Sequence, residues 1–387
     1  MDLTLTPELA AFRDEVRAFL DAHAGEHEAG APKDPKAWQK LLIDNGYAAR
    51  TIPREYGGYG AQPDILKGRI IAEEFIAAGA PRGMSGQGIA MLVPTLLEVG
   101  SEEQKTRWIG PTLRGEIIWC QGYSEPGAGS DLANLQTKAV EDGEDFLISG
   151  SKIWTSTAMQ AQMMFCLVRT EPKAAKHEGI SYILFPMSTP GIEVRPLKTM
   201  TGQAEFNEVF FTDVRVPKAN VVGGRGRGWF VANTTLKHER GMLGDPNATE
   251  ARLKSLIELM KSETVDGQRL IDNPIFRDRL MQLQARVMAM KFNGLRTVTD
   301  DTAGLARLVV KLQGCELNHQ VAALAIDALG ELGILYQDGP HLRAKGTWQR
   351  SYMFDLGLII GGGTAQIQKN IIAERGLGLP REPKAAS

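Results

Sequence analysis

The chain has 387 residues, of which 43% are apolar and 23% charged, and its net charge is −2. This length predicts two or three packed units, and near-neutrality argues against a nucleic-acid-binding face. The cysteines Cys120, Cys166 and Cys315 lack metal-site spacing, so we expect neither disulfides nor a metal centre. Without a signal peptide at the first residues or a membrane-length apolar run, we expect a soluble cytoplasmic protein.

Residues 6–119 follow a helical period. Behind Pro7, apolar residues recur at i, i+3 and i+4 spacing: Leu9, Phe12, Val16, Phe19 and Leu20. Further helices are predicted at residues 65–78 and 102–113, the second with Ser101 as its N-cap. The first part of the chain is therefore expected to be helical.

Residues 119–224 change to a period of two. Strands are predicted on both sides of an acidic glycine turn within residues 140–148, and at residues 163–169, 180–186, 192–196 and 208–216. Short strands without intervening helices indicate an antiparallel sandwich or barrel and not a nucleotide-binding βαβ sheet.

The remainder of the chain returns to a helical pattern. Helices are predicted at residues 229–243, 250–261, 274–300, 303–332 and 365–375. The predicted fold class is therefore α+β, with an N-terminal helical domain (residues 1–118), a middle antiparallel β-sandwich or barrel domain (119–225) and a C-terminal helical domain (226–387).

Three segments suggest chemistry. Residues 119–131 form a strand and a tight turn of small residues and hydroxyls, which offers N–H and serine donors, or else is an ordinary interdomain loop. Residues 150–156 place a tryptophan before hydroxyl side chains, so its indole could pack on a planar ring or in the core. Residues 359–370 place three glycines before a helix, which suits a phosphate or an oxyanion but also a plain linker.

Together and in this order, the three segments resemble acyl-CoA dehydrogenases. The matching pieces are Tyr-Ser-Glu-Pro-Gly-Ala-Gly-Ser-Asp at residues 123–131, Lys-Ile-Trp-Thr-Ser at 152–156 and Gly-Thr-Ala-Gln-Ile-Gln at 363–368. The resemblance covers essentially the whole chain and implies a C-terminal four-helix bundle. It also implies an oxidoreductase of fatty-acid β-oxidation with one FAD per subunit, usually a homotetramer, that passes electrons to an electron-transfer flavoprotein.

The resemblance also implies a set of binding residues. Positions that match flavin contacts in the family are Gln121, Tyr123, Ser124, Ser130, Trp154, Ser156, Thr364 and Gln366. Trp154 and Ser156 match the residues packed on and bonded to the isoalloxazine, and Gly330 matches a loop that reaches a neighbouring subunit's cofactor. Ser130 and Arg240 are the expected substrate contacts.

Two family features are incomplete. The Arg-x-x-Phe-Gly stretch that contacts a partner's FAD corresponds to residues 263–267, which read Glu-Thr-Val-Asp-Gly. Asp327 stands where the family usually has a glutamine. Arg277 and Arg279 are candidates to replace the missing arginine.

The implied reaction removes the pro-R α-proton of an acyl-CoA thioester while the β-hydride moves to flavin N5. Many family members place the catalytic carboxylate at the position that Gly362 occupies here. Glu239 and Arg240 instead match the Glu-Arg pair of the isovaleryl- and long-chain enzymes. Because Leu236 and Leu243 share a helical face with Glu239, partial desolvation is expected to raise its pKa. We therefore predict Glu239 as the base, with the Gly362 N–H donating to the thioester oxygen.

Three alternatives stay open. An O₂-using oxidase is disfavoured because acyl-CoA oxidases are about twice as long. The chain could be one subunit of a heterotetramer, an alternative that the incomplete partner-FAD contact keeps open. A mainly structural subunit is a further alternative, but the presence of Glu239 and of the flavin-lining segments argues against a purely structural role. The acyl group is undetermined: glycines at residues 361–363 leave room for branched, bulky or steroid-type groups, and short straight chains are not excluded.

Overall fold

The computed structural model describes residues 5–28, 30–299, 304–337 and 339–381, without the side chains of residues 240–243 and 297–299. The chain forms two compact units. The first comprises Met1–Pro196 and Phe206–Thr235, and we call it the β unit. The second comprises Leu197–Glu205 and Leu236–Ser387, and we call it the helical unit.

The β unit begins with helices. Their bounds are α1 Pro7–Ala22, α2 Pro35–Asp44, α3 Ile65–Ala77, α4 Val93–Val99 and α5 Glu102–Leu113, with a small hairpin of β1 His27–Glu28 and β2 Ala31–Pro32. Ser101 caps α5 in a reciprocal capping box with Gln104, as the sequence predicts. The prediction lacks α2, although Asp34 caps it and Pro35 occupies its first position.

An eight-stranded sheet forms the rest of this unit. Its strands are β3 Trp119–Gly122, β4 Lys138–Asp142, β5 Asp145–Ser156, β6 Met163–Arg169, β7 Ile180–Pro186, β8 Ile192–Leu197, β9 Phe206–Pro217 and β10 Val221–Val222. The order is β10-β7-β6-β4-β5-β9-β8, with β3 also beside β6. The sheet is mainly antiparallel, as predicted, but β3 and β4 pair with β6 in parallel. The β4–β5 hairpin intervenes between β3 and β6, which allows β3 to run in the same direction as β6.

The helical unit contains most of the remaining elements. They are α6 Gly228–Leu243, whose first half lies in the β unit, α7 Pro246–Ser262, β11 Thr264–Val265, β12 Gln268–Arg269, α8 Pro274–Thr299, α9 Gly304–Leu329, α10 Thr347–Ile360 and α11 Ala365–Ile371. Helices α7, α8, α9 and α10 pack together around a shared apolar core that includes Leu256, Val287 and Leu324. The α+β prediction with a C-terminal four-helix bundle is confirmed.

Two helix predictions in this unit need correction. Helix α7 begins at Pro246 and not at residue 250, because the Asp245 side chain accepts the Asn247 N–H and caps the helix there. Helix α10 is absent from the sequence prediction. None of the helices in the described ranges has the length and apolar character needed to cross a membrane.

Candidate functional site

The segment after β3 folds into a tight turn, which we call the serine loop (residues 124–131). The N–H of Glu125 donates to the Ala128 carbonyl at 3.1 Å, and the Ala128 N–H donates back at 3.0 Å. A Cβ added at Gly127 or Gly129 would meet no atom within 4 Å, so this surface is open. The predicted contact Ser130 is exposed and Ser124 is half-buried, so the loop can present hydroxyl donors to a ligand.

A buried ion pair anchors the serine loop to β5. The Lys152 ammonium donates to Glu125 Oε1 at 2.7 Å and to the Tyr123 carbonyl at 3.1 Å. The same carboxylate accepts the N–H groups of Gln136 at 2.6 Å and Thr137 at 2.9 Å. Burial works to raise the pKa of Glu125, but Lys152 and these hydrogen bonds outweigh it, so the pKa lies below its usual value.

Trp154 lies in a β-bulge two residues after Lys152. The β5–β9 register shifts between Lys152 and Thr155, and Trp154 has a left-handed φ of 61°. Its side chain is 58% exposed and has an edge contact with Phe206 at a centroid distance of 6.0 Å. A strained backbone that holds a large apolar ring in solvent is typical of a ligand-binding position.

The fit of this region to the implied FAD can be tested on its polar atoms. Thr155 Oγ1 and Asn207 Oδ1, both beside the bulge, are buried and have no hydrogen-bond partner within the described part of the chain. The hydroxyl of Thr155 and the amide oxygen of Asn207 are therefore available as a donor and acceptors next to the exposed indole of Trp154, where a heteroaromatic ring is expected. The hydroxyls of Ser124 and Ser156 complete a donor set that fits a flavin.

Two further predicted flavin contacts, Gln121 in β3 and Tyr123 directly after it, differ in burial. The Tyr123 ring is buried, with edge contacts to Phe165 and Tyr182 at centroid distances of 6.0 and 6.2 Å. Only its backbone is therefore placed to line a ligand. Gln121 is half-buried on the strand and pairs in register with Phe165.

Glu239 lies in the part of α6 that belongs to the helical unit. Its side chain is half-buried, as is that of Leu236 one turn earlier. The side chains of Arg240 and Leu243 lie outside the described part of the structure. The contribution of Leu243 to the apolar environment predicted for Glu239 therefore stays a prediction.

The segment between α10 and α11 carries the other predicted catalytic group, and we call it the glycine loop (residues 361–363). Gly362 and Gly363 have left-handed φ values of 63° and 96°, which favour glycine. The Thr364 hydroxyl accepts the Ile367 N–H at 3.2 Å and caps α11. Gln366 is exposed on the first turn.

Buried polar side chains hold the glycine loop. The Lys311 ammonium donates to the carbonyls of Ile359 at 3.1 Å and Gly363 at 2.7 Å. Gln368 Nε2 donates to the Gly362 carbonyl at 3.2 Å. Lys311 and Gln368 are each only 2% exposed. The sequence prediction assigned no role to these two residues, nor to Glu125 and Lys152.

The region predicted to meet a neighbouring subunit's cofactor differs from the family pattern. Residues 263–267 lead into and form a β11–β12 hairpin whose turn, Asp266 and Gly267, has positive φ at both positions. Arg279, a candidate replacement for the missing arginine, pairs with Asp327 at 2.7 Å. Gly330 is exposed with a φ of 55° at the end of α9.

Each unit thus gathers its own group of predicted residues. The β unit brings Ser124 beside β5, where the Ile153 N–H donates to the Ser124 carbonyl at 2.8 Å, next to Trp154. In the helical unit, Gly362 lies in the glycine loop, and Thr364 and Gln366 follow it as the cap and first turn of α11. Within the described residues, no group of three or more His, Cys, Asp or Glu side chains could hold a metal ion.

Family models match three consecutive parts of the chain. They describe the acyl-CoA dehydrogenase N-terminal domain at residues 6–116, middle domain at 120–214 and C-terminal domain at 226–377. The acyl-CoA dehydrogenase IpdE1 of Mycobacterium tuberculosis is 38% identical, over 97% of this chain and 99% of that protein.

Solved structures give a similar result. A steroid acyl-CoA dehydrogenase, Tcur3481-Tcur3483, matches with a TM-score of 0.81 and 30% identity over 99% of this chain and 100% of that one. The ChsE4-ChsE5 complex of Mycobacterium tuberculosis matches with a TM-score of 0.81 and 31% identity, again over 99% and 100%.

Proposed function

The chain belongs to the acyl-CoA dehydrogenase family, and we propose that it oxidises an acyl-CoA thioester to the trans-2-enoyl-CoA with Glu239 as the base. Family members are FAD-dependent flavoproteins, so this chain is an FAD-dependent oxidoreductase. When bound, FAD supplies the hydride acceptor for the β-carbon. The C–H bonds at Cα and Cβ break, and the double bond forms between these carbons.

Residues of the β unit would hold the flavin. The exposed indole of Trp154 offers a flat apolar surface for the isoalloxazine. The hydroxyls of Ser124, Ser130 and Ser156, with Gln121 and the Tyr123 backbone, would donate to its heteroatoms. In the helical unit, Thr364 and Gln366 would add contacts at the start of α11, and Gly330 would meet a neighbour's cofactor.

The observation that carries the base assignment is a half-buried Glu239 beside Arg240, in a chain with glycine at residue 362. Partial burial disfavours the charged carboxylate and so strengthens it as a base toward a weakly acidic carbon. Negative charge grows on the thioester oxygen as the α-proton leaves, and the Gly362 N–H would donate to that oxygen. Arg240 and Ser130 would bind the CoA thioester.

Anaerobic flavin bleaching tests this assignment. Glu239→Gln should retain bound FAD but lower the bleaching rate by about 10³-fold, because a general base contributes roughly 10²–10⁴-fold. Glu258→Gln is the matched control, since this glutamate is 71% exposed and pairs with Lys261 on the surface of α7. Wild-type bleaching rates in Glu239→Gln would rule out the carboxylate as the base.

For the substrate, we propose a bulky acyl group of the steroid side-chain type. Support comes from the neighbour named a steroid acyl-CoA dehydrogenase and from the absence of a side chain at Gly362, which leaves space near Cα. Bleaching by a panel of acyl-CoAs that differ in length, branching and ring content tests this. Fastest bleaching by a short straight-chain acyl-CoA would contradict it. An electron-transfer flavoprotein is the proposed acceptor, and its reduction rate can be measured in the same assay.

A second candidate is a subunit of a heterotetramer, with a homomeric assembly as the alternative. Residues 263–267 lack the family's Arg and Phe and contain the first strand and the turn of the β11–β12 hairpin, and Asp327 is paired with Arg279. Both solved neighbours carry the names of two components. Native mass measurement of the chain expressed alone, with flavin absorbance, separates the alternatives: a homotetramer with four FAD would exclude the heteromer.

A further inference from the structure

We propose that Lys311 is a positioning residue: its ammonium fixes the glycine loop so that the Gly362 N–H is aimed at the thioester oxygen. This inference rests on the proposed function for the identity of the ligand. It gives a role to a buried cation in α9 that the base assignment does not use.

The contacts join the end of one helix to the start of the next. Ile359 lies in the last turn of α10, where carbonyls lack helical partners, and Lys311 donates to its carbonyl at 3.1 Å. The same ammonium donates at 2.7 Å to the carbonyl of Gly363, the residue before the α11 cap. Lys311 therefore spans both ends of the glycine loop.

The anchored carbonyls determine where the loop N–H groups point. A trans peptide places its C=O and N–H on opposite sides. Gln368 holds the Gly362 carbonyl at 3.2 Å, which fixes the direction of the Gly363 N–H. On the other side, the Gly361 N–H donates to the Gly357 carbonyl at 2.7 Å. The peptide that carries the Gly362 N–H thus lies between anchored neighbours.

The loop needs such anchors because of its composition. Three consecutive glycines have no side chains to pack, and the left-handed φ values of Gly362 and Gly363 are only one of several conformations open to glycine. A donor that stabilises a developing oxyanion acts only when it is held in place before the reaction. Lys311 supplies this order from the rigid core of α9, where its neighbours Leu312 and Cys315 are also buried.

The test replaces the anchors one at a time in the full-length, FAD-loaded protein. Lys311→Met keeps the length of the side chain and removes its donors. Gln368→Met removes the second anchor and leaves the lysine in place. Lys291→Met is the matched control, because it removes an ammonium of the same bundle that pairs with Glu250 at 2.8 Å and does not bond the loop.

Two measurements report on positioning apart from turnover. Hydrogen exchange in a peptide that covers residues 357–368 should become at least about tenfold faster in Lys311→Met. A bound 3-oxoacyl-CoA, whose acidic α-carbon ionises to an enolate, should ionise about tenfold less readily, because the enolate loses a preorganised donor. In turnover with the best acyl-CoA, kcat should fall by about tenfold to a hundredfold, with KM changed less than threefold.

Each outcome decides a different question. Unchanged exchange and ligand ionisation in Lys311→Met, compared with Lys291→Met, would overturn the inference, whatever the result for Gln368→Met. If Lys311→Met does not retain FAD, the same comparison with Gln368→Met decides alone. If no acyl-CoA bleaches the wild-type flavin, the proposed function fails. If the wild type is active and Lys311→Met keeps wild-type exchange, ligand ionisation and kcat, only the positioning role is refuted.

Discussion

The two units each contain a buried lysine that anchors a predicted cofactor or substrate segment, and the groups through which the two lysines hold their segments differ. In the β unit, Lys152 pairs with the Glu125 carboxylate and a carbonyl. In the helical unit, Lys311 donates to the carbonyls of Ile359 and Gly363. An ammonium has three donors, so either arrangement can satisfy most of them.

The difference has consequences for stability. A buried ion pair becomes costly when one partner is removed, because the other charge stays in a low-dielectric environment. Carbonyls at the end of α10 carry only the partial negative charge of a helix C-terminus. Lys152 therefore holds its segment through a strongly coupled charge pair, whereas the contacts of Lys311 to Ile359 and Gly363 are with carbonyl dipoles.

The largest expected effect comes from removing the lysine of the charge pair. Lys152→Met should destabilise the β unit by about 3–5 kcal/mol, since Glu125 is left buried without a cation. Lys311→Met should cost the helical unit less, about 1–3 kcal/mol, for unsatisfied carbonyls. Hydrogen exchange resolved by peptide measures each unit separately. A larger loss of unfolding free energy in Lys311→Met than in Lys152→Met would contradict the expected difference between the two lysines.

Much of the fold follows from local sequence. Strands at residues 163–169 and 180–186 are predicted to the residue, because apolar runs there are bounded by turn residues. Helix α10 is absent from the prediction because Gly346 at its start makes no side-chain cap, and Ala344 and Lys345 before it have left-handed φ values that the sequence does not signal.

The site is less predictable than the fold. A lysine in a sequence indicates an exposed side chain, and burial depends on partners that lie 27 residues from Lys152 and 52 from Lys311. The sequence did contain a signal for the burial of Lys152. Side chains alternate between the two faces of a strand, and Lys152 is an even number of residues from Phe146 and Ile148, which are buried in β5.

A change of pH should have a smaller effect on the unfolding free energy, with opposite signs for a buried carboxylate in each unit, Glu125 and Asp355. The Glu125 pKa lies below its usual value, so its ionised form stabilises the fold, and this contribution is present above about pH 4.3 and lost as pH falls through the folded pKa. The stability gap between wild type and Glu125→Gln should therefore be widest near neutral pH and narrow on acidification.

The helical unit provides the reverse case in Asp355, a fully buried carboxylate that pairs with Arg252. Burial raises the Asp355 pKa more than Arg252 lowers it. The folded state then binds the proton more tightly than the unfolded state, and wild-type stability falls as pH rises from about 3.9 through the folded pKa. The difference in unfolding free energy between the wild type and Asp355→Asn should therefore narrow as pH rises. Urea unfolding at a series of pH values from about 2 to 8 checks both slopes, and parallel slopes would contradict the assigned signs.

The smallest stability effects should come from the residues next to each anchored segment. Trp154 is 58% exposed, so Trp154→Ala should change the unfolding free energy of the FAD-free protein by less than about 1 kcal/mol. Thr364→Ala removes the α11 cap and should cost about 1 kcal/mol.

The order of these two variants should be reversed for FAD affinity, with the larger loss in Trp154→Ala. We expect a loss of tenfold or more, about 1.4 kcal/mol, for Trp154→Ala, because the indole surface is exposed where the flavin is proposed to pack. The loss for Thr364→Ala should be smaller, since its hydroxyl oxygen already accepts the Ile367 N–H. Titration of the FAD-free variants, followed by flavin fluorescence, measures both. A destabilised Trp154→Ala with unchanged FAD affinity would mean that the bulge serves the fold of the β unit and not the cofactor.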